Sequence, residues 1–297
     1  MAWLLFALLS PAFWAMNSVI NKFLMTKKFQ GFFSMLIYLN FVDLIFAGAV
    51  FVCVPVAFSF PYSLFAMIIG LMPLLAFWFY SKALMIEEVS RLAPLFQFIP
   101  IFVVFLSVVF LGELLSAQKY LGIVLVVLTS ILISYKKSDD GHSLSSGFKF
   151  MVPFTAVIAV YTVLNKYLLG HLDYWSVFFW MMIGSWFAVI GMLIFNKPRK
   201  AFVESVSHLG IQTFIITLAG EGSYILGTVF SLIATSLGYV SLVSVLSGLQ
   251  QVFVFIYTLL LSFFVPTILK EDISKNAIFL KIFAIALLFV GTWLVVM

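Results

Sequence analysis

Two stretches of the chain repeat one pattern: residues 19–25 read VINKFLM, and residues 163–169 read VLNKYLL. Each copy closes a long apolar stretch, and four further apolar stretches follow it. A unit with an odd number of membrane crossings places its second copy upside down relative to its first. The repeat therefore predicts two inverted halves of one membrane-embedded unit.

The composition requires lipid as the solvent for most of the protein surface. Of the 297 residues, 64% are hydrophobic and 9% are charged, and the mean hydropathy is +1.22. Soluble domains carry about 25% charged residues, so water cannot solvate a fold of this composition. We therefore expect an integral membrane protein, located in a prokaryotic plasma membrane.

The apolar stretches are long enough to cross a bilayer as helices. A spanning helix needs about 20 mostly apolar residues, and lipid cannot satisfy an open backbone, so each span is predicted to be helical. The ten predicted spans are residues 3–24, 33–57, 62–81, 91–111, 117–135, 150–169, 175–195, 212–234, 240–265 and 277–297. The sequence thus predicts an all-α membrane protein with ten transmembrane helices in two inverted five-helix repeats.

A polar segment divides the chain between the fifth and sixth predicted spans. Residues 136–147 read KKSDDGHSLSSG, a composition typical of linkers. The predicted organisation is a first repeat at 1–137, a linker at 138–148 and an inverted second repeat at 149–297. Cys53 is the only cysteine and the three histidines are scattered, so we expect no disulfide, no metal site and no cofactor.

Lysine and arginine are distributed unevenly between the two membrane faces that ten spans define. The face with the termini holds 2 of the 16 basic residues, Lys119 and Lys166, and the opposite face holds 14. Because cytoplasmic loops carry the excess of Lys and Arg, this count predicts that both termini lie outside the cytoplasm.

Two acidic residues lie deep inside predicted spans, Asp43 in the second and Glu221 in the eighth. A charge at bilayer depth costs about 2.5–3.5 kcal/mol on insertion scales, so such a residue normally faces a cavity or a partner. One interpretation is a carboxylate that binds a proton or the ammonium group of a substrate. The other is a structural carboxyl that is protonated or hydrogen-bonded to a neighbouring helix.

Polar and aromatic side chains at helical spacing mark the faces predicted to surround a central cavity. The candidate cavity residues are Glu221, Tyr224, Asp43, Asn17, Asn21, Trp14, Tyr80, Gln97, Tyr161, Asn165 and Gln251. Candidate hinges are Pro94, Pro100 and Gly248, because proline and glycine bend or interrupt helices. The alternative interpretation is helix packing, in which polar side chains only bridge neighbours. Lys22 and Lys166 stand at span ends, where we expect them to extend toward the interface.

The sequence gives no indication of an enzyme. It contains no phosphate-binding glycine loop followed by Lys-Ser or Lys-Thr, and no Ser-His-Asp or Cys-His set suited to nucleophilic catalysis. The net charge of +5 comes from basic residues that flank the spans, which is typical of membrane anchoring. We therefore expect neither catalysis nor a nucleic-acid partner.

Several short motifs run through the first half of the chain. They are Trp14 and Lys22 in the first span, Ala83-Leu84 at the end of the third, Ala93-Pro94 and Pro100 in the fourth, Leu111-Gly112-Glu113 at the next turn, and Leu121-Gly122-Ile123 in the fifth. With these motifs the chain resembles EamA-type proteins of the drug/metabolite transporter superfamily. The second half departs from the pattern, since no Gly-Glu pair follows the ninth span, although Glu271 is nearby.

The resemblance implies secondary transport of small metabolites, amino-acid-like compounds or drugs. It also implies that spans 1, 3, 4, 6, 8 and 9 surround the cavity. Members of the family usually keep both termini in the cytoplasm, which is opposite to the orientation that the basic residues predict.

Taken together, these features favour a secondary active transporter that works by alternating access on a small-molecule substrate, with coupling to protons. Glu221 is the predicted coupling or cation-binding carboxylate, with Tyr224 and Asn17 as polar contacts. The expected partners are the substrate and membrane lipids, and the protein is expected to be a monomer or a homodimer. Two alternatives stay open: a lipid-phosphate or lipid-linked-sugar translocase that uses Lys22 and Lys166, and a non-transporting membrane scaffold.

Overall fold

The computed structural model describes residues 2–29, 31–86, 92, 95–96, 98–134, 147–264, 286–287 and 290–295. The regular secondary structure of these residues is helical. Two predicted site residues, Pro94 and Gln97, lie outside the described residues, as does most of the linker at 138–148.

The helices follow one another through short turns. In the first half they are α1 (Ala2–Lys27), α2 (Phe32–Cys53), α3 (Tyr62–Gly70), α4 (Met72–Leu84), α5 (Phe98–Leu106) and α6 (Ala117–Ser134). In the second half they are α7 (Phe148–Leu168), α8 (Tyr174–Ile194), α9 (Asn196–Ser207), α10 (Ile211–Leu237), α11 (Val240–Ser247) and α12 (Gln250–Phe264). A π-helical turn, Ser107–Leu111, continues α5.

The architecture predicted from composition is confirmed in its main feature, an all-helical membrane protein. Within the described residues, seven helical segments are long and apolar enough to cross a membrane: Ala2–Lys27, Phe33–Cys53, Tyr62–Ala83, Phe148–Leu168, Tyr174–Ile194, Ile211–Leu237 and Val240–Thr258. Two shorter apolar helices are Phe98–Leu111 and Ala117–Thr129. The count of ten spans stays a prediction, because most of residues 277–297 lies outside the described part of the chain.

Three predicted spans differ from the observed helices. The second ends at Cys53 and not at residue 57, since Val54 is already extended. The third is broken at Leu71, directly before a helix whose first turn holds Pro73, where the missing N–H of proline is tolerated. The ninth is broken at Gly248, between α11 and α12.

The structure adds one helix between the seventh and eighth predicted spans that the sequence did not predict. Helix α9 carries Lys197, Arg199 and Lys200 among its exposed residues and packs on α2 and α8. Its amphipathic pattern is typical of a helix that lies along the membrane interface. Pro198 lies in its first turn, where proline is compatible with a helix.

Contacts between the helices define two faces of the bundle. Trp3 at the start of α1 touches Gly238 after α10, and Glu113 after α5 bonds Val240 at the start of α11. We call this side the N-terminal face and the other side the opposite face. Lys27 at the end of α1 and Ile211 at the start of α10 both line a cavity on the opposite face.

The helices pack in pairs that link the two halves of the chain. Helix α1 lies along α10, and helix α7 lies along α4. Helix α1 also contacts α11 and α12, while α7 contacts α5. In the same way α3 packs on α8 and α2 packs on α10. The buried core therefore lies where the two halves meet.

The crossing of α3 and α8 depends on two glycines. A Cβ atom added to Gly70 would lie 2.1 Å from the carbonyl oxygen of Met181, and one added to Gly184 would lie 2.0 Å from that of Met67. The two backbones are in direct contact because neither position carries a side chain. Close approach through small residues is a main source of helix association in lipid.

Helix α8 provides a matched pair of glycines for a test of this packing. Gly184→Ala should lower the thermal unfolding temperature in detergent, because overpacking a close contact costs about 1–3 kcal/mol. Gly191→Ala is the control, since a Cβ there meets nothing within 4 Å, and alanine in a helix is favoured by about 0.5–1 kcal/mol over glycine. Equal unfolding temperatures for the two variants would contradict the proposed role of the close contact.

Candidate functional site

The two acidic residues singled out by the sequence meet each other in the structure. Asp43 lies midway along α2 and Glu221 near the middle of α10, and their carboxyl groups lie close enough to interact directly. Glu221 is 4% exposed. A hydrogen bond between two carboxyl groups needs a proton on one of them, so the pair holds a proton whenever this bond is made.

Helix α1 supplies an amide chain that ends on Glu221. The side-chain Nδ2 of Asn17 donates to Glu221 Oε1 at 3.3 Å and to the carbonyl oxygen of Gly220 at 2.9 Å. Asn21 in turn donates from Nδ2 to Asn17 Oδ1 at 3.0 Å. The predicted contact between Asn17 and Glu221 is therefore present, and Asn21 orients Asn17.

Tyr224 stands at the centre of α10 and faces Asp43, Glu221 and Tyr161 of α7. Despite this central position, 36% of its surface is accessible. A side chain halfway along a spanning helix that faces polar groups of two other helices keeps such accessibility by lining an interior space. The carboxyl pair therefore borders a space that a small molecule or water can enter.

Helix α7 contributes a second polar pair, Tyr161 and Asn165, whose side chains lie close to each other. These residues match Asn17 and Asn21 when the chain is shifted by 144 positions, the shift that aligns the two copies of the repeated pattern. Each copy of the pattern thus presents a polar pair, four residues apart, to the same polar network.

Trp14 forms part of the wall between α1 and α10. Its indole Nε1 donates to Thr228 Oγ1 at 3.3 Å. A Cβ on Gly227 would lie 2.6 Å from Cδ1 of this ring, so the glycine makes room for the indole. Thr228 lies one turn beyond Tyr224 on α10 and was not among the residues predicted to surround the cavity.

The remaining predicted residues lie apart from the carboxyl pair. Tyr80 on α4 packs in an aromatic cluster, with ring centroids 5.3 Å from Phe96 and 5.6 Å from Phe154. Gln251 belongs to α12, and its side chain lies outside the described part of the structure. Its neighbour Gln250 donates to Ser18 Oγ at 3.0 Å and so joins α12 to α1.

Two of the three predicted hinge positions are described. Pro100 is buried within the described part of α5. Gly248 lies at the break between α11 and α12. The structure therefore places the interruption of the ninth span at the predicted glycine.

Lys166 does not extend to the interface, contrary to the expectation from its position. Its ammonium group donates to the carbonyl oxygens of Thr235 at 2.7 Å and Gly238 at 2.8 Å, at the end of α10. The terminal carbonyl groups of a helix have no hydrogen-bond partner within that helix. Lys166 supplies a donor to two such carbonyl groups at the end of α10. A pairing over such a distance in sequence has no local signal.

Glu113 was singled out in the sequence only as part of the Leu111-Gly112-Glu113 motif. Its buried carboxylate accepts hydrogen bonds from the backbone N–H of Val240 at 2.9 Å and of Ser241 at 3.1 Å, and from the hydroxyl of Ser241. Tyr239, the N-cap residue of α11, makes no side-chain cap of its own. A distant carboxylate therefore caps this helix.

The polar network around the carboxyl pair has more acceptors than donors. Among the described residues, the buried oxygens Asn21 Oδ1 and Asn165 Oδ1 meet no donor, and Asp43 Oδ1 meets none beyond its contact with Glu221. Within the same residues, no three His, Cys, Asp or Glu side chains come together as a metal site. A ligand that fits these features brings N–H or O–H donors and carries positive charge.

Two larger cavities open at the surface of the described structure. One, of about 440 Å³, lies at the opposite face beside Lys27 and His208. The other, an apolar groove of about 580 Å³, has Val160 and Leu164 of α7 among its lining residues. The carboxyl pair lines neither cavity.

The hypothesis that the carboxyl pair holds a proton is open to a chemical test. Dicyclohexylcarbodiimide, an apolar reagent that modifies protonated carboxyl groups, should label the peptides that contain Asp43 or Glu221, as read by mass spectrometry. Glu204, exposed on α9, is the internal control and should stay unlabelled, because the apolar reagent collects in the lipid interior and away from exposed side chains. Equal labelling of Glu204 and the pair would contradict a shared buried proton.

Comparisons with known proteins agree with this architecture. Residues 1–135 match the model of the EamA-like transporter family. A crystal structure of a protein with 18% sequence identity is similar over 98% of this chain and 94% of that chain, with a TM-score of 0.74. At this identity the likeness shows the fold alone. A search of the curated proteins finds no match to this sequence.

The family match covers the part of the chain that contains Trp14, Asn17 and Asp43. The EamA-like family suggests a membrane transporter of small solutes, and the resemblance inferred from the sequence motifs is confirmed. This chain is an integral membrane protein whose residues 1–135 match the EamA-like transporter family.

Proposed function

We propose that this protein is a secondary active transporter that moves a small metabolite, amino-acid-like or drug-like solute by alternating access. The contact between Asp43 and Glu221 carries the proposal. In this site the pair binds either a proton or the cationic group of the solute, Tyr224 and Asn17 supply polar contacts, and Trp14 forms a wall.

The packing of the helices supports two inverted repeats, at 1–137 and 149–297, joined by a linker at 138–148. In two related halves, α7 is the counterpart of α1, and α4 is the counterpart of α10. A contact of α1 with α10 then requires a contact of α7 with α4, and both contacts occur. The pairs α3 with α8 and α2 with α10 satisfy the same rule. Inverted repeats of this kind place a binding site near the bilayer midplane, where the carboxyl pair lies.

Electrostatics link solute binding to protons at such a pair. With one shared proton the pair carries a net negative charge, which either a second proton or an ammonium group neutralises. A charge left unneutralised at bilayer depth costs about 2.5–3.5 kcal/mol or more. The two neutral forms therefore pass between conformations more easily than the charged one, and the solute and the proton exchange across the membrane.

The site needs no second copy of the chain. The carboxyl pair, the amide chain of α1 and the Tyr161–Asn165 pair of α7 all come from one polypeptide. A monomer is therefore sufficient for transport. We retain the orientation predicted from the basic residues, with the N-terminal face outside the cytoplasm of a prokaryotic cell.

The alternative of a lipid-phosphate translocase depends on free cationic groups, and Lys166 is engaged by two carbonyl oxygens. This use of Lys166 favours a cationic solute over a phosphate. The alternative of a non-transporting scaffold gives no reason for unpaired acceptors beside an accessible tyrosine.

The decisive experiment measures proton movement in proteoliposomes that contain an internal pH indicator. Gradients of primary amines and of amino acids serve as probes, and at least one should drive proton flux through the wild-type protein. Glu221→Gln and Asp43→Asn should each lower this flux at least about tenfold, because a neutral amide cannot exchange a proton for an ammonium group.

Glu204→Gln is the matched control, since Glu204 is exposed on α9, and it should retain the wild-type flux. Thermal unfolding of all variants separates lost transport from lost folding. Full coupled flux through Glu221→Gln would overturn the assignment of the carboxyl pair. The scaffold alternative gains support if folded wild-type protein moves none of the probes.

A further inference from the structure

The junction between α10 and α11 is held from both sides by side chains of opposite charge. At the end of α10, the ammonium group of Lys166 donates hydrogen bonds to the carbonyl oxygens of Thr235 and Gly238, which carry partial negative charge. At the start of α11, the carboxylate of Glu113 accepts hydrogen bonds from the backbone N–H groups of Val240 and Ser241. Cations at helix C-termini and anions at N-termini are both favourable arrangements.

We call the contacts of Lys166 and Glu113 with this junction the latch. Its two members come from different halves of the chain, because Glu113 follows α5 and Lys166 belongs to α7. Each holds the same junction, which consists of Gly238 and Tyr239. The latch therefore ties the turn after the fourth span to the eighth and ninth spans at the N-terminal face.

The packing beneath the latch is closed. Val103 of α5, Ala159 and Val163 of α7 and Val240 of α11 form one buried cluster. Helix α5 packs on α11, which is the part of the ninth span at the N-terminal face. A path from the carboxyl pair to the N-terminal face requires these helices to separate, and their separation breaks the hydrogen bonds of Glu113 to α11.

The repeated pattern places a counterpart of Lys166 at the opposite face. Lys22 matches Lys166 at the shift of 144 positions, and in this structure Lys22 is exposed. The junction of α10 and α11 matches the chain after α4 at a shift of 151, which aligns Val240-Ser241 with Val89-Ser90. By this correspondence, Lys22 would meet carbonyl groups at the end of α4.

We propose that Lys166 and Glu113 lock the N-terminal face in this conformation, and that Lys22 forms the matching lock at the opposite face when the N-terminal face opens. The inference rests on the proposed alternating-access cycle. Two locks that are made in turn give each conformation its own set of charge-assisted hydrogen bonds. Lys22 and Lys166 are then positioning residues that set the balance between the two conformations and do not bind the solute.

A cysteine reporter placed between the site and the latch tests this inference. Ser231 lies on the polar stripe of α10 between Thr228 and Thr235, and Ser231→Cys changes the side chain little. Cys53, which is exposed, is first replaced by serine. A membrane-impermeant maleimide added from the N-terminal face then reports how often this face opens.

In this background Lys166→Met and Glu113→Gln should each raise the labelling rate of the reporter about tenfold or more, because a charge-assisted hydrogen bond is lost. Lys166→Arg should stay near the parent rate, since the guanidinium also donates to the carbonyls. Lys22→Met should lower the rate, because it weakens the lock of the opposite conformation. Lys119→Met, on the same face but outside the latch, should leave the rate unchanged.

The flux assay, run in parallel, separates the two proposals. If labelling responds to these variants while no probe is transported, the latch stands and the transport proposal fails. If the wild type transports a probe and Lys166→Met changes neither the labelling rate nor the flux, the latch is wrong. A lower unfolding temperature for Lys166→Met, with unchanged labelling, would likewise overturn the latch and leave Lys166 as a structural cap.

Discussion

The contact between the carboxyl groups of Asp43 and Glu221 is the interaction on which the organisation of the site depends. Two acidic groups at the middle of spanning helices are costly in hydrocarbon unless polar partners surround them. Asn17 of α1 approaches the pair from one side and Tyr224 lies beside it. The helices that carry these partners are therefore fixed around the pair, and the accessible space lies among them.

Close packing of α1 against α10 makes this solvation possible. The Asn17 amide reaches the carbonyl oxygen of Gly220 at 2.9 Å, a distance that requires the two helices to lie side by side. Gly227 leaves room for the indole of Trp14 one step further along the same interface. Small residues in the apolar contact thus set the distance at which the polar groups meet. The hydrogen bonds of the site therefore depend on the close packing of α1 on α10.

The sequence predicted the parts of this arrangement that depend on local composition. Long apolar runs indicated the spanning helices, and an acid within such a run singled out Asp43 and Glu221 separately. The pairing of these two residues, 178 positions apart, has no periodic or local signal, and the same holds for Glu113 at the start of α11. Lys166 was misjudged because its position in a span end suggested the interface, whereas unpaired helix carbonyls were nearer.

The two halves have diverged most where the site needs charge. At the shift of 151 positions the counterpart of Glu221 is Gly70, and that of Tyr224 is Pro73. Gly70 packs its backbone directly on Met181, so a side chain at this position would separate α3 from α8. In the first half this position therefore serves packing, and in the second half it carries a carboxyl group of the proposed site. A symmetric pair of acids is excluded by the contact that holds α3 on α8, and the carboxylate partner of Glu221 comes instead from α2.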